Sequence, residues 1–168
     1  MNYQRVYVIG GAGSGKSTLA KVYAEKHSIP HHQLDDFYYE HAARRQRRTK
    51  ADRQQRLLNA VGDDAWVIEG IFWQSWIEPA LERADKIIVL DIPEWTRQVR
   101  VIKRHFQLLR HAKASEWPTF LPTLLELVKH NRRYISGPLQ ETLKVLAAHD
   151  SKVSVCKSNQ EAERELVS

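Results

Sequence analysis

Residues 10–17 read Gly10-Gly11-Ala12-Gly13-Ser14-Gly15-Lys16-Ser17, and this stretch decides the fold. The spacing is G-x-x-x-x-G-K-S, the pattern by which a backbone loop cradles phosphate. An aliphatic run, Arg5-Val6-Tyr7-Val8-Ile9, leads into it. A run with helix-forming composition, Ser17 to Lys26, leads out. Strand, loop and helix in that order give the pattern its meaning. Glycines let main-chain N–H groups turn toward an anion, and the helix starting near Lys16 adds its positive end. Gly11, Ala12, Gly13, Ser14, Gly15, Lys16, Ser17 and Thr18 are therefore the expected triphosphate-binding residues. Lys16 is expected on the β and γ phosphates and the Ser17 hydroxyl on Mg²⁺. A glycine-rich turn without a ligand has no need of Lys-Ser at that register.

Outward from the loop, strand-like and helix-like segments alternate. Strands are expected at 5–9, 29–34, 65–69, 86–91 and 152–156, and helices at 16–27, 50–61, 74–83, 94–110, 120–134, 138–148 and 159–167. Lys86-Ile87-Ile88-Val89-Leu90 is the clearest buried strand, a short aliphatic run closed by Asp91 and Pro93. Such alternation implies a parallel sheet with helices on both faces, with ligands at the carboxyl ends of the strands. The 168 residues make one domain, 1–168, large enough for a real core. Apolar residues make up 42% and charged residues 27%, a globular balance. No apolar run is long enough to span a membrane, and the N-terminus has no signal-peptide pattern, so no membrane partner is expected. Cys156 is the single cysteine, which excludes an internal disulfide and fits a buried thiol in a cytoplasmic protein. Net charge is +6 and the pI about 9.5. That excess fits either a site for anionic substrates or contact with nucleic acid.

The residues after each strand carry the chemistry. Leu34-Asp35-Asp36-Phe37 follows the second strand. Asp35, and less directly Asp36, could help hold Mg²⁺ through water or accept a proton from a hydroxyl being phosphorylated. The alternative is a solvated turn or helix cap. Glu69-Gly70 ends the third strand, where the topology puts Glu69 near Ser17, as a Mg²⁺-associated or acceptor-binding carboxylate. Gly70 allows close approach of a backbone or substrate. Phe72, Trp73 and Trp76 could flank a planar substrate or belong to the core. After the fourth strand, Arg97, Arg100 and Arg104 lie three and four apart on one helix face. They form either a row approaching the phosphates or a solvated charged face. His111 to Pro118 breaks the helical pattern and reads as a mobile cover, and Arg132 and Arg133 beyond it could close onto phosphate. The basic run Arg44 to Lys50 could bind nucleic acid or an anionic acceptor, or be an exposed face. The eight histidines show no metal-ligand spacing.

With Leu34-Asp35-Asp36-Phe37, Trp66-Val67-Ile68-Glu69-Gly70 and Leu90-Asp91-Ile92-Pro93 ahead of Arg100 and Lys103-Arg104, the chain resembles the adenylate-kinase-like P-loop kinases. Within them it is most similar to the small group known as DNA topology modulation proteins. The resemblance implies a P-loop NTPase α/β/α sandwich, with a five-stranded parallel sheet in the order 2-3-1-4-5. It also implies an acceptor-binding segment at about 35–64 and a lid at about 105–120. Arg100 and Arg104 match arginines that contact nucleotide phosphates in nucleoside monophosphate kinases, and Lys157-Ser158-Asn159-Gln160 would border the adenine. The chain departs from adenylate kinases after the third strand, where Glu69-Gly70-Ile71-Phe72-Trp73 stands in place of Asp-Gly-Phe-Pro-Arg.

Two functions are consistent with these residues. One is a Mg²⁺- and ATP-dependent, nucleotide-kinase-like phosphotransferase acting on a nucleotide, a nucleoside or another small hydroxyl compound, as a monomer or homodimer. Lys16, Arg100 and Arg104 would neutralise developing charge and Asp35 would position or deprotonate the acceptor. Ser17, Asp35 and Glu69 would attend the metal, with Asp36, Phe37, Gly70, Trp73, Arg132 and Arg133 toward the acceptor. The other is an ATP-binding regulator that contacts DNA through the basic run. No DNA-reading module stands out in the sequence, which favours the kinase.

Overall fold

The computed structural model describes residues 3–40, 46–71, 75–109, 117–134, 137 and 139–167. Its elements are β1 (Arg5–Gly10), α1 (Lys16–His27), β2 (His31–Gln33), α2 (Leu34–Tyr38), α3 (Lys50–Gly62) and β3 (Trp66–Gly70). A 3₁₀ turn at Ser75–Ile77 leads into α4 (Glu78–Arg83), β4 (Lys86–Leu90), α5 (Glu94–Leu109) and α6 (Trp117–Tyr134). The chain finishes with α7 (Gln140–Leu146), a 3₁₀ segment (Ala147–Lys152), β5 (Val153–Cys156) and α8 (Asn159–Val167). The five strands form one parallel sheet in the order β2-β3-β1-β4-β5, as the resemblance implied.

Strand alternation explains the two core layers. Tyr7 and Ile9 of β1 point to one face with Trp66, Ile68, Ile87 and Val89, under α3, α4 and α7. Val6 and Val8 point to the other face with Val67, Ile88 and Leu90, under α1 and α8. Each such side chain taken fully from water contributes roughly 1.5–3 kcal/mol. Both faces are covered, so β1, β3 and β4 read as continuous apolar runs rather than alternating ones.

Three expectations need correction. The second strand is short, because Leu34 already begins α2 and sinks its side chain into the core with Asp35 and Asp36 in the helix's first turn. A five-residue helix has too little periodicity to stand out in sequence. The expected break over His111 to Pro118 is not a break at its end, since α6 begins at Trp117. Pro118 lies in the first turn, where a missing N–H costs nothing, and Pro122 is carried inside the helix. Finally, the expected helix 138–148 ends at Leu146 and continues to Lys152 as 3₁₀. Residues 110–116, the middle of the expected lid, lie outside the described residues. Among the described residues no helix is long and apolar enough to cross a membrane.

Candidate active site

The phosphate-loop sequence links the end of β1 to the start of α1. Gly13 (φ 76°) and Gly15 (φ 91°) sit in the left-handed region that other residues rarely adopt. Gly15 is the residue that turns the chain into α1. The turn is closed by Ser14 N–H donating to Gly11 O at 3.2 Å and by Leu19 N–H donating to Gly15 O at 3.0 Å. The Ser14 side chain is buried and its Oγ accepts from Lys16 N–H at 3.4 Å.

Glu69 meets this loop from the neighbouring strand. β3 pairs with β1 in register Val8 to Glu69, and alternation turns Glu69 to the α1 side. There Ser17 Oγ donates to Glu69 Oε1 at 2.8 Å, and Lys16 Nζ stands 3.7 Å from Oε2. Glu69 is only 3% exposed, so this carboxylate is a buried counter-charge for the loop lysine. A hydroxyl that gives its hydrogen to Glu69 keeps its lone pairs for another partner.

A cleft of about 620 Å³ opens over the loop. Lys16, Ser17, Thr18, Asp35, Glu69, Gly70, Arg100 and Arg104 all reach it. Asp35 comes from the first turn of α2 and is exposed. Arg100 Nη1 donates to the carbonyls of Gly13 and Ser14, at 3.3 and 3.2 Å, and to Asn159 Oδ1 at 3.1 Å. Asn159 Nδ2 in turn donates to Ser14 O at 3.0 Å. Thus the segment after β5 braces the loop.

Other expected site residues land elsewhere. Phe37 is half-buried, packing on the core and tilted against the His32 ring at 5.7 Å. Asp36 is half-buried behind Asp35. The group that crowds Gly70 is the Leu34 side chain, which a Cβ there would meet at 2.7 Å. Arg132 is exposed and pairs with Glu94 at 3.4 Å, and Arg133 is exposed beside it. Neither lines the described cleft. Trp73 and Phe72 lie outside the described residues. Trp76 packs on the core and near the Tyr38 ring, with the Arg53 guanidinium over both, 4.4 Å from the Tyr38 centroid and 5.8 Å from that of Trp76.

Arg97, which the arginine row placed toward phosphate, lies behind the loop instead. It is 1% exposed, and burial pulls its guanidinium below the usual arginine range. Its Nε donates to Ile92 O at 3.1 Å, Nη2 to Asn131 O at 3.3 Å, and Nη1 to Asn131 Oδ1. Its Cζ lies 5.0 Å from the Tyr134 ring centroid, and burial pushes that phenol up to about 12. Sequence reasoning missed Asn131, Tyr134 and the bracing by Asn159. Arg97, Arg100 and Arg104 share one helical stripe, and spacing does not tell which guanidinium the neighbouring helix encloses.

The residues present fit Mg²⁺. The metal's usual protein share is one or two oxygen donors, the rest being phosphate and water. Ser17 and Glu69 supply oxygens side by side, with Asp35 on the same cleft. Among the described residues no three His, Cys, Asp or Glu side chains converge, so the set suits a substrate-borne cation rather than a protein cage.

Among solved structures, a shikimate kinase from Bacteroides thetaiotaomicron superposes with a TM-score of 0.53 over 98% of this chain and 95% of its own. Sequence identity is 16%. The likeness is one of fold: a five-stranded parallel sheet with helices on both faces. No family model matches the chain, and neither does any curated protein.

Proposed function

We propose that this chain is an ATP-dependent phosphotransferase that uses Mg²⁺ and acts on a small-molecule acceptor. The observation that carries the reading is the convergence of Lys16, Ser17 and Glu69 beside a cleft that Asp35, Arg100 and Arg104 also reach. The loop amides and Lys16 would bind the polyphosphate, and Arg100 and Arg104 would offset charge on the transferring group. Ser17 and Glu69, and Asp35 through water, would hold Mg²⁺, which would neutralise phosphate charge when bound. Asp35 would orient an acceptor hydroxyl and accept its proton, whereas a phosphate acceptor needs no base. The acceptor class is a nucleotide, a nucleoside or another small hydroxyl compound, held by the segment 35–64, with 105–120 as the cover.

The reading as an ATP-binding regulator that contacts DNA rests on the basic run 44–50. Of its described members, Arg48 is engaged with Tyr39 O and Asp52, and Arg47 lies over the Tyr38 ring. No observation on the described residues favours it over the kinase.

The test is a screen of nucleotides, nucleosides and small alcohols for ADP release above the water-hydrolysis background. A true acceptor should raise release in the wild type and not in Lys16→Ala, whose turnover should fall by a factor of ~10² or more. Equal turnover in the two proteins would rule out the loop as the reaction site.

A further inference from the structure

Arg97 presents a physical problem that the kinase reading does not use. A buried guanidinium is ordinarily paired with a carboxylate, because an unpaired buried charge is costly. Here every hydrogen-bond acceptor among the described residues is neutral: Ile92 O, Asn131 O and Asn131 Oδ1. Two carboxylates, Glu94 and Asp91, act on it only across space, and Glu94 is engaged with Arg132 and Gln98. Asn131 Nδ2 is itself buried with no hydrogen-bond partner among the described residues. An aspartate at 131 would keep the Oδ1 acceptor, lose no described hydrogen bond and neutralise the guanidinium. The chain has the amide instead, and the positive charge has no hydrogen-bonded counter-ion among the described residues.

That charge is pressed against the phosphate loop. A Cβ on Gly11 would lie 2.7 Å from Arg97 Nη1 and 2.8 Å from Tyr134 Cδ1. One on Gly13 would lie 2.5 Å from the Arg97 carbonyl oxygen. The Arg97 guanidinium therefore lies against Gly11 and its main-chain carbonyl against Gly13, while Asn131 ties the side chain to α6.

We propose that Arg97 is a positioning residue of the phosphate loop and that its missing counter-ion is the triphosphate bound on the loop's other side. The inference rests on the phosphate-binding reading. The guanidinium packs against Gly11 and adds an enclosed positive charge that water screens poorly, while the Arg97 main chain packs against Gly13. Asn131 holds it without cancelling it.

The experiment is calorimetric titration of the full chain with Mg-ATP and with inorganic tripolyphosphate, pyrophosphate and phosphate, alongside thermal melts. Asn131→Asp should weaken triphosphate binding roughly tenfold, the scale of one enclosed charge at loop range. The loss should shrink from tripolyphosphate to phosphate, while the melting temperature stays level or rises. A merely structural Arg97 would not produce that combination. Arg97→Met should lose triphosphate affinity, and Arg97→Lys should recover part of it by restoring charge without the fork. Triphosphate affinity equal to wild type in Asn131→Asp, whatever its melting temperature, would overturn the proposal. If the wild type itself takes up no triphosphate, the phosphate-loop reading fails, and this inference with it.

Discussion

Glu69 is the buried carboxylate of the candidate site. It accepts from Ser17 at 2.8 Å and stands 3.7 Å from Lys16, nearly out of solvent. Glu69→Gln keeps an acceptor for Ser17 but removes a negative charge beside Lys16. Metal-free ATP should then bind as tightly or more tightly, while Mg-ATP should bind roughly tenfold more weakly. Titrations with and without Mg²⁺ separate the two effects, and equal shifts in both would contradict this role. At this scale the sequence was legible where backbone pattern fixes position. The loop's glycines fall between β1 and α1, and Glu69 beside Ser17, because motif and strand register determine where they go. Arg97 and Asn131 were not legible. Their inward orientation depends on α6 packing over α5, a contact between residues 34 apart that no local pattern encodes.

Among the elements, α5 is the informative case. Its apolar residues Trp95, Val99 and Phe106 are exposed, while Arg97 and Val101 are turned inward against the loop. Apolar periodicity alone would have faced this helix the wrong way. By contrast α3 follows local rules. The Thr49 side chain accepts from Asp52 N–H at 3.2 Å and starts the helix, with Leu57, Ala60 and Val61 as its buried stripe. Thr49→Ala should cost about 1 kcal/mol of stability, read from the urea midpoint. Because α3 lies in the proposed acceptor segment, the same variant should raise the acceptor KM more than the ATP KM. An unchanged urea midpoint would show that the cap is not what holds this end of α3. The helix α8 has a similar device: Glu161 N–H donates to Ser158 Oγ, and the Glu161 carboxylate accepts from Lys157 N–H. It sets Asn159 against the loop, a placement that the residues after β5 did not reveal without the cap geometry.

For the whole molecule, the Arg5–Asp85 pair links the start of β1 to the chain just before β4. Asp85 accepts from Arg5 Nη2 at 2.6 Å, Arg5 Nε at 3.1 Å, Arg5 N–H at 2.9 Å and Gln4 N–H at 3.2 Å. Burial pushes its carboxyl up, but the Arg5 hydrogen bonds and charge together hold it below the usual carboxylate range. A carboxylate depressed in the folded state contributes stability above its unfolded value of about 3.9, and that stability is lost as pH falls through the folded value. Asp85→Ala should therefore lower stability by about 1–2 kcal/mol near neutral pH, and the gap to wild type should close in acid below about pH 4. A gap independent of pH would refute the pairing. A parallel sheet with helices on both faces was legible because strands and helices alternate along the chain, whereas the strand order came only with the family resemblance. The short α2 and the true start of α6 were not, since local propensity there yields to packing.

Phosphate transfer as proposed requires that the backbone of residues 10–17 and the Lys16 side chain hold a triphosphate. Calorimetric titration of the wild type and Lys16→Ala with Mg-ATP tests it most directly. Saturable heat in the wild type, weakened by at least about tenfold in the variant, is the expected result. No saturable heat in the wild type with ATP or GTP, with magnesium present, would contradict it.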